Sequence, residues 1–317
     1  MDLSHAVREK IDAGDRAAAL ALLNGAEHAL PLHAGHIHAW RAALLVELGR
    51  TEDALEVLEH ALAAGCRYKA EWLRGDRRLA PLLGMARFEE LVERAASRYT
   101  QDQAASLPAL EVLMPQAPKP AAGYPTLIVL HGNSSNVGRT QPYWRSATDL
   151  GWVVALPQSG EISPSPGAYT WNDRDRTLAE LERHREDLRR RGLMDESAVV
   201  LAGFSMGGLQ ALALALSRRF QVAGVVSVGA YLPHVREFRE LIAHGNAAGV
   251  RFYIVVGTLD ASGYDGAKQL TSELERAGAD VLLDERSGLG HAYPPDMEAT
   301  LRRALTFMRA PARVGPR

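Results

Sequence analysis

The stretch GFSMGG, residues 203–208, decides the fold, because it directly follows the apolar run AVVLA of residues 198–202. Glycine weakens a strand and serine adds nothing to an apolar core, so these residues at the exit of a buried strand indicate a special turn. Gly203 and Gly207 permit a turn too sharp for larger side chains, and the Leu- and Ala-rich residues that follow predict a helix. The pattern therefore predicts a strand–turn–helix junction that exposes the hydroxyl of Ser205, with a simple tight turn as the alternative.

The second half of the chain alternates short apolar runs with amphipathic stretches. The runs are LEVLMP (110–115), TLIVLHG (126–132), WVVALPQ (152–158), AVVLAGFS (198–205), AGVVSVGA (223–230), RFYIVVGT (251–258) and DVLLDE (280–285). Residues 176–192 and 266–278 are typical of surface helices. Continuous apolar runs predict strands buried on both faces, so we expect a mostly parallel sheet flanked by helices.

The first half is helical in pattern and contains an internal repeat. Residues 14–26 align with residues 49–61, matching Gly, Ala and Leu at a constant offset of 35. This period predicts helix–turn–helix repeats, with a generic helical bundle as the alternative. We therefore divide the chain into an all-α helical-repeat domain at 1–98, a polar linker at 99–108 that ends in proline, and an α/β domain at 109–317.

A nucleophilic serine needs a base. In a sheet whose serine lies at such a strand–turn–helix junction, the base follows the serine and the acid in chain order. Three of the eleven histidines come after Ser205. His291, in SGLGHAYPP, follows the last predicted strand in a glycine-flanked loop, whereas His234 and His244 belong to a predicted surface helix or its ends. We expect His291 to be the base.

The acid is predicted at the end of the strand before His291. Asp260 closes the run VVGTLD there, and its carboxylate could hold the imidazole in the required tautomer. Asp265 is the alternative acid, and Asp284 lies inside a strand, where it is less suitable. A turn-forming aspartate is the structural alternative for Asp260.

The oxyanion hole is predicted from two backbone N–H groups, those of Met206 and Asn133. His131 and Gly132 lie in the same loop as Asn133, and we predict that they border the bound substrate. His131 is excluded as the base because it precedes Ser205, so its predicted role is to shape the loop.

A Pro-, Ser- and Gly-rich loop at 159–175 follows the strand that ends in Gln158. Loops at this edge of a parallel sheet form the rim of the site. Gln158, Tyr169 and Trp171 are therefore predicted to bind substrate, and Met206 would add apolar surface. The alternative for Tyr169 and Trp171 is that they pack the loop onto the body of the domain.

Four motifs in order, HGN (131–133), GFSMGG (203–208), GTLD (257–260) and GLGHAYP (288–294), resemble the α/β-hydrolase superfamily. Within it they are similar to the phospholipase/carboxylesterase group of small serine esterases, over roughly residues 108–311. The resemblance implies a nucleophile, acid and base at Ser205, Asp260 and His291. The chain departs from that group at Met206, where glutamine is common, and in its helical first half.

The segment HAWRAALLVELGRTEDALEVLEHAL (38–62) resembles a tetratricopeptide repeat, and GMARFEELVERA (84–95) is similar to part of a degenerate further unit. The resemblance implies an interaction role, with a protein partner or with a second copy of the chain. The helical domain could instead shape access to Ser205.

Three functions fit these patterns. The first is a hydrolase of carboxylic esters or thioesters, acting through an acyl-enzyme on Ser205. Residues 231–250 leave room for one helix but no cap domain, so we expect an open site. The second is a peptidase or amidase with the same triad, which the lack of a propeller or cap disfavours. The third is a non-enzymatic scaffold that binds partners through its helical repeats.

Composition narrows the partners. A formal net charge of −2 gives no electrostatic case for nucleic acid or an anionic membrane. Cys66 is the single cysteine, which excludes an internal disulfide and a cysteine-based metal site. No Walker loop or dinucleotide fingerprint is present, so we expect neither cofactor nor metal. With no signal-peptide pattern in the sequence, we expect a cytoplasmic protein.

Overall fold

The computed structural model describes residues 3–310, which form two compact units. The helical unit comprises the residues up to Leu107 together with Glu161–Tyr169, and the sheet unit comprises Pro108–Gly160 and the residues from Thr170 onward. The helical unit is therefore discontinuous in sequence. No helix in the described part of the chain combines the length and the apolar character needed to cross a membrane.

Seven α-helices build the helical unit as far as it is described. They are α1 (Leu3–Asp12), α2 (Arg16–Leu23), α3 (Ala26–Ala29), α4 (Ala34–Glu47), α5 (Thr51–Ala63), α6 (Ala70–Gly75) and α7 (Ala86–Ala105), with 3₁₀ helices at Pro31–His33 and Arg77–Leu82. The turns after α1 and α4 are alike, because Gly14 and Gly49 both adopt left-handed φ angles, 78° and 75°. In each turn the glycine N–H donates to the carbonyl three residues earlier. The 35-residue repeat thus has the same turn twice, and the tetratricopeptide assignment stays a prediction.

Helix α7 extends through most of the segment predicted to be a linker. It continues to Ala105, and the chain enters the sheet unit only at Pro108. Polarity misled the prediction, because residues 99–107 contain neither glycine nor proline to end the helix. Asp102 also pairs with Arg67 and Arg98, which stabilises this last part of the helix.

Arg67 makes three hydrogen bonds to the segment 161–169 within the helical unit. The backbone N–H of Arg67 donates to the carbonyl of Pro164 at 3.0 Å, and its guanidinium donates to the carbonyls of Ser163 and Ser165, each at 3.2 Å. Gly35 donates its N–H to the Ser165 hydroxyl at 2.9 Å. Three successive carbonyls of the segment are therefore satisfied by one arginine.

The described part of the sheet unit contains seven strands in the order β1-β3-β2-β4-β5-β6-β7, and only β1 is antiparallel to its neighbour. The strands are β1 (Ala109–Leu113), β2 (Tyr124–Leu130), β3 (Val153–Gln158), β4 (Met194–Phe204), β5 (Gly224–Val228), β6 (Arg251–Gly257) and β7 (Asp280–Arg286). Each predicted apolar run forms one of them. The prediction of a mostly parallel sheet is confirmed.

Helices cover both faces of this sheet. They are α8 (Val137–Trp144), α9 (Arg174–Arg190), α10 (Met206–Leu216), α11 (Arg236–Ala243), α12 (Tyr264–Arg276) and α13 (Met297–Arg309), with a 3₁₀ helix at Arg145–Leu150. Alternate residues of β2 enter different cores: Ile128 and Leu130 pack with α9 to α12, whereas Leu127 and Val129 pack with α8 and α13. Burial on both faces is why the central strands read as uninterrupted apolar runs.

Candidate active site

The turn between β4 and α10 places Ser205 in a strained conformation. Ser205 has φ 54° and ψ −117°, a region that residues with a side chain rarely occupy. The two flanking glycines are required by close packing: a Cβ on Gly203 would overlap the backbone of Gly207, and a Cβ on Gly207 would overlap the carbonyl oxygen of Leu130. The local sequence therefore folds so that strain is concentrated on the one serine.

The structure brings Ser205, His291 and Asp260 into one hydrogen-bonded chain. His291 Nε2 lies 2.9 Å from Ser205 Oγ, and His291 Nδ1 lies 2.8 Å from Asp260 Oδ2. The serine follows β4, the aspartate follows β6 and the histidine follows β7, so the three meet at the carboxyl edge of the parallel strands. A histidine placed between a hydroxyl and a carboxylate can accept the hydroxyl proton as the oxygen becomes a nucleophile.

The other candidate acids and bases lie elsewhere. Asp284 Oδ2 accepts a hydrogen bond from Tyr253, and its carboxylate is also paired with Arg286. Asp265 is exposed in the first turn of α12. His244 is exposed at the end of α11, where its Nδ1 lies 2.6 Å from the Glu240 carbonyl.

Asp260 is buried yet surrounded by donors. Only 1% of its surface is exposed, and burial alone would raise the pKa of the Asp260 carboxyl. Hydrogen bonds from His291 and Ser262 outweigh burial, so the net pKa of Asp260 lies below its usual value. The carboxylate is thereby kept ionised beside the imidazole.

The predicted oxyanion donors border the serine. Met206 is the first residue of α10, so its N–H has no carbonyl partner within the helix and lies at the positive end of the helix dipole. A Cβ built on Gly132 would lie 3.7 Å from the Cβ of Ser205, which places the loop beside the serine. Asn133 follows in the chain, and its side-chain oxygen accepts from the N–H of Ser134 at 3.0 Å. The side-chain oxygen is thus occupied, and the main-chain N–H of Asn133 remains the predicted donor.

His131 supports this loop from inside the domain. Its ring is fully buried, with Nδ1 2.8 Å from the Gly132 carbonyl and Nε2 within 3.1 Å of Gln158 Nε2 and 3.3 Å of the Ser159 N–H. Burial lowers the pKa of His131 to about 4, so the imidazole is neutral. The expectation that His131 borders the substrate is corrected, because a side chain without exposed surface cannot touch one. Gln158 supports the same loop, because its Oε1 also accepts a hydrogen bond from the N–H of Val137.

Trp171 is an anchor and does not line an open pocket. Its indole is fully buried, lies tilted against the His131 ring with the ring centroids 4.8 Å apart, and donates its N–H to the His131 carbonyl at 3.1 Å. Gln210 in turn donates to the Trp171 carbonyl at 2.6 Å. Of the two roles considered for Trp171, the structure therefore favours packing of the loop. Tyr169 is half-buried in the helical unit, where its backbone pairs with Ile162.

Two contributors to the site were not predicted from the sequence. Ser262 contacts both Asp260 and His291, at 2.6 Å and 3.1 Å, and its position two residues after an aspartate was the available signal. An aromatic stack also supports the histidine: Phe204 lies 5.0 Å from the His291 ring and 4.4 Å from Tyr293. No sequence signal pointed to that stack, because Tyr293 is far from Phe204 in the chain.

Metal ligands are not grouped in the described region. Among residues 3–310 no three histidine, cysteine, aspartate or glutamate side chains are arranged to hold an ion.

Comparison with known proteins agrees with this fold. Residues 127–316 match the model of the "Alpha/beta hydrolase family". A solved structure of an uncharacterized protein from Bacillus cereus ATCC 10987 is 24% identical, with a TM-score of 0.56 and coverage of 97% of both chains. Esterase PE8 is 16% identical with a TM-score of 0.50 and covers 63% of this chain and 99% of its own. Likenesses at this identity show the fold alone. No curated protein sequence matches this chain.

Proposed function

Since residues 127–316 place the chain in the α/β-hydrolase family, we propose that it is a serine hydrolase acting on carboxylic esters or thioesters. The observation that carries the proposal is the pair of hydrogen bonds joining Ser205 to His291 and His291 to Asp260, at 2.9 Å and 2.8 Å. The strained turn at Ser205 supports it, because such strain is retained where a side chain must be presented for reaction.

In the proposed reaction, the Ser205 hydroxyl attacks the acyl carbon while its proton passes to His291 Nε2. Asp260 stabilises the imidazolium through Nδ1–H. The main-chain N–H groups of Met206 and Asn133 receive the oxyanion of the tetrahedral intermediate. His291 then protonates the leaving alcohol or thiol, and the acyl group remains on Ser205 until a water, deprotonated by the same histidine, releases the acid.

An open, partly apolar site supports esters of varied size. Between β5 and β6 the described chain contains one helix, α11, of eight residues, which is too short to form a cap. Tyr231 is 42% exposed, and its N–H donates to the Ser205 carbonyl at 3.2 Å. Tyr231 therefore offers exposed aromatic surface for an acyl chain near the serine.

The test is hydrolysis of p-nitrophenyl acetate, butyrate and octanoate and of the matching thioesters, together with fluorophosphonate labelling. We expect turnover and labelling of the wild type, and loss of both in Ser205→Ala. Ser217→Ala, at the other end of α10, is the matched control and should retain both signals. A folded wild type with neither signal would overturn the proposal and favour the scaffold function. Cleavage of a peptide p-nitroanilide in preference to every ester would favour the peptidase alternative.

A further inference from the structure

The carboxylate of Asp260 is held by two donors from a single residue. The backbone N–H of Ser262 lies 3.0 Å from Asp260 Oδ1, and the Ser262 hydroxyl lies 2.6 Å from the same oxygen. The other oxygen, Oδ2, faces His291 Nδ1 at 2.8 Å. Ser262 therefore fixes which carboxylate oxygen is presented to the histidine.

The hydroxyl of Ser262 also reaches the histidine itself, since Oγ lies 3.1 Å from His291 Nδ1. A hydroxyl has one proton to donate, and the short distance to Asp260 Oδ1 indicates that the Ser262 hydroxyl donates its hydrogen bond to that carboxylate oxygen. Toward His291 the Ser262 oxygen can then only accept. The Nδ1–H of His291 is consequently shared between Asp260 Oδ2 and Ser262 Oγ, which leaves Nε2 unprotonated and facing Ser205.

On this geometry, and resting on the proposed function, we propose that Ser262 is a positioning residue for the acid–base pair. It orients the Asp260 carboxylate, holds His291 in the tautomer that can accept the Ser205 proton, and provides a second acceptor for Nδ1–H when the imidazole becomes charged.

The same local motif occurs a second time without a histidine, and this separates the proposed role from that of a turn. Ser197 donates its N–H and its hydroxyl to Asp195 Oδ1, at 2.9 Å and 2.7 Å. Both distances match those between Ser262 and Asp260 to about 0.1 Å. A turn therefore accounts for the bonds to the aspartate, but it does not account for the contact of Ser262 with His291.

The test compares Ser262→Ala, Ser262→Thr and Ser262→Val with Ser197→Ala in ester hydrolysis. We expect kcat of Ser262→Ala to fall roughly tenfold to a hundredfold, the range for losing a hydrogen bond to a charged group. KM should change little, because Ser262 contacts Asp260 and His291 Nδ1, on the side of the imidazole away from Ser205. Threonine, which keeps the hydroxyl, should restore most of kcat, whereas the isosteric valine should not, and Ser197→Ala should match the wild type.

Each outcome decides one point. Equal kcat for the threonine and valine variants, or wild-type kcat for Ser262→Ala, would overturn the role of Ser262 while leaving the proposed function intact. A fall in kcat shared by Ser197→Ala would indicate a general effect of losing such a turn and would also overturn it. If the wild type shows neither turnover nor fluorophosphonate labelling, the proposed function fails and the inference fails with it. Thermal unfolding of all variants identifies any loss that comes from misfolding, and the threonine–valine pair then still compares two side chains of equal shape.

Discussion

Replacing His131 by glutamine should make the protein less sensitive to acid. The buried imidazole is neutral in the folded state, since burial lowers its pKa from 6.5 to about 4. Its Nε2 faces two N–H groups, of Gln158 and Ser159, so a proton there would meet donors instead of acceptors. In the unfolded chain the ring regains its ordinary pKa and binds a proton more readily.

The sign and size of the pH effect on stability follow from the difference in the His131 pKa between the folded and the unfolded state. Between pH 6.5 and about pH 4 the unfolded state binds the His131 proton and the folded state does not, so the free energy of unfolding falls as the pH falls. At about 1.4 kcal/mol per pKa unit the full effect is roughly 3 kcal/mol, of which roughly 2 kcal/mol is lost between neutral pH and about pH 5. Above the unfolded pKa the contribution is fully present.

Urea unfolding followed by tryptophan fluorescence measures this pH dependence of stability, since Trp144, Trp152 and Trp171 are all buried in the sheet unit. The loss of stability between neutral pH and about pH 5 should be smaller in His131→Gln than in the wild type by roughly 2 kcal/mol. Because the two proteins are compared by their pH dependence, any destabilisation that is equal at both pH values cancels. His244→Gln, at an exposed site, is the control and should follow the wild type. Equal pH dependence in His131→Gln and the wild type would refute the reasoning.

Three further substitutions probe the turn and the acid. Ser205→Gly should abolish labelling yet raise the free energy of unfolding by about 1 kcal/mol. The reason is that the relieved backbone strain, about 1–3 kcal/mol, exceeds the entropic cost of glycine. A lower Tm of the variant by calorimetry would contradict this. Gly207→Ala should lower the free energy of unfolding in urea by about 2 kcal/mol or more, because its Cβ would overlap the Leu130 carbonyl. Gly138→Ala is the control and should not lower it, because the nearest contact of its Cβ is at 3.5 Å. Asp260→Asn should preserve the fold and lower kcat on p-nitrophenyl esters by roughly 10⁴-fold, and a loss below tenfold would argue against its role as the acid.

The sequence was most informative where local chemistry and burial agree. A strand buried on both faces leaves an apolar run that little else explains, so the central strands could be predicted from burial. The edge strands β1 and β7 of the described sheet are only partly buried, yet their runs were apolar enough to be predicted as well. The glycines around Ser205 were readable for a similar reason, since a turn that close excludes any Cβ. Asp260 and His291 followed from their positions after strands, because parallel strands carry their ends to one edge.

Features that depend on contacts between residues far apart in the sequence could not be predicted. Whether Trp171 faces solvent or the interior is decided by the His131 carbonyl, forty residues away in the chain. The polar residues 99–105 were predicted to be a linker because polarity was taken for irregularity, yet they continue α7. The place of 161–169 in the helical unit depends on Arg67, and nothing in either stretch alone indicates the other.

The discontinuity of the helical unit bears on how the chain is made. A ribosome releases residues up to Leu107 well before Tyr169 emerges, so the first helices can form while a segment of their own unit is still untranslated. Until then the two Arg67 N–H groups that donate to Ser163 and Ser165 lack those carbonyls. Translation of β1, β2 and β3 comes in between, so completion of the first unit waits on synthesis of part of the second. A gene fusion that transplants residues 1–107 alone would therefore carry an unfinished unit.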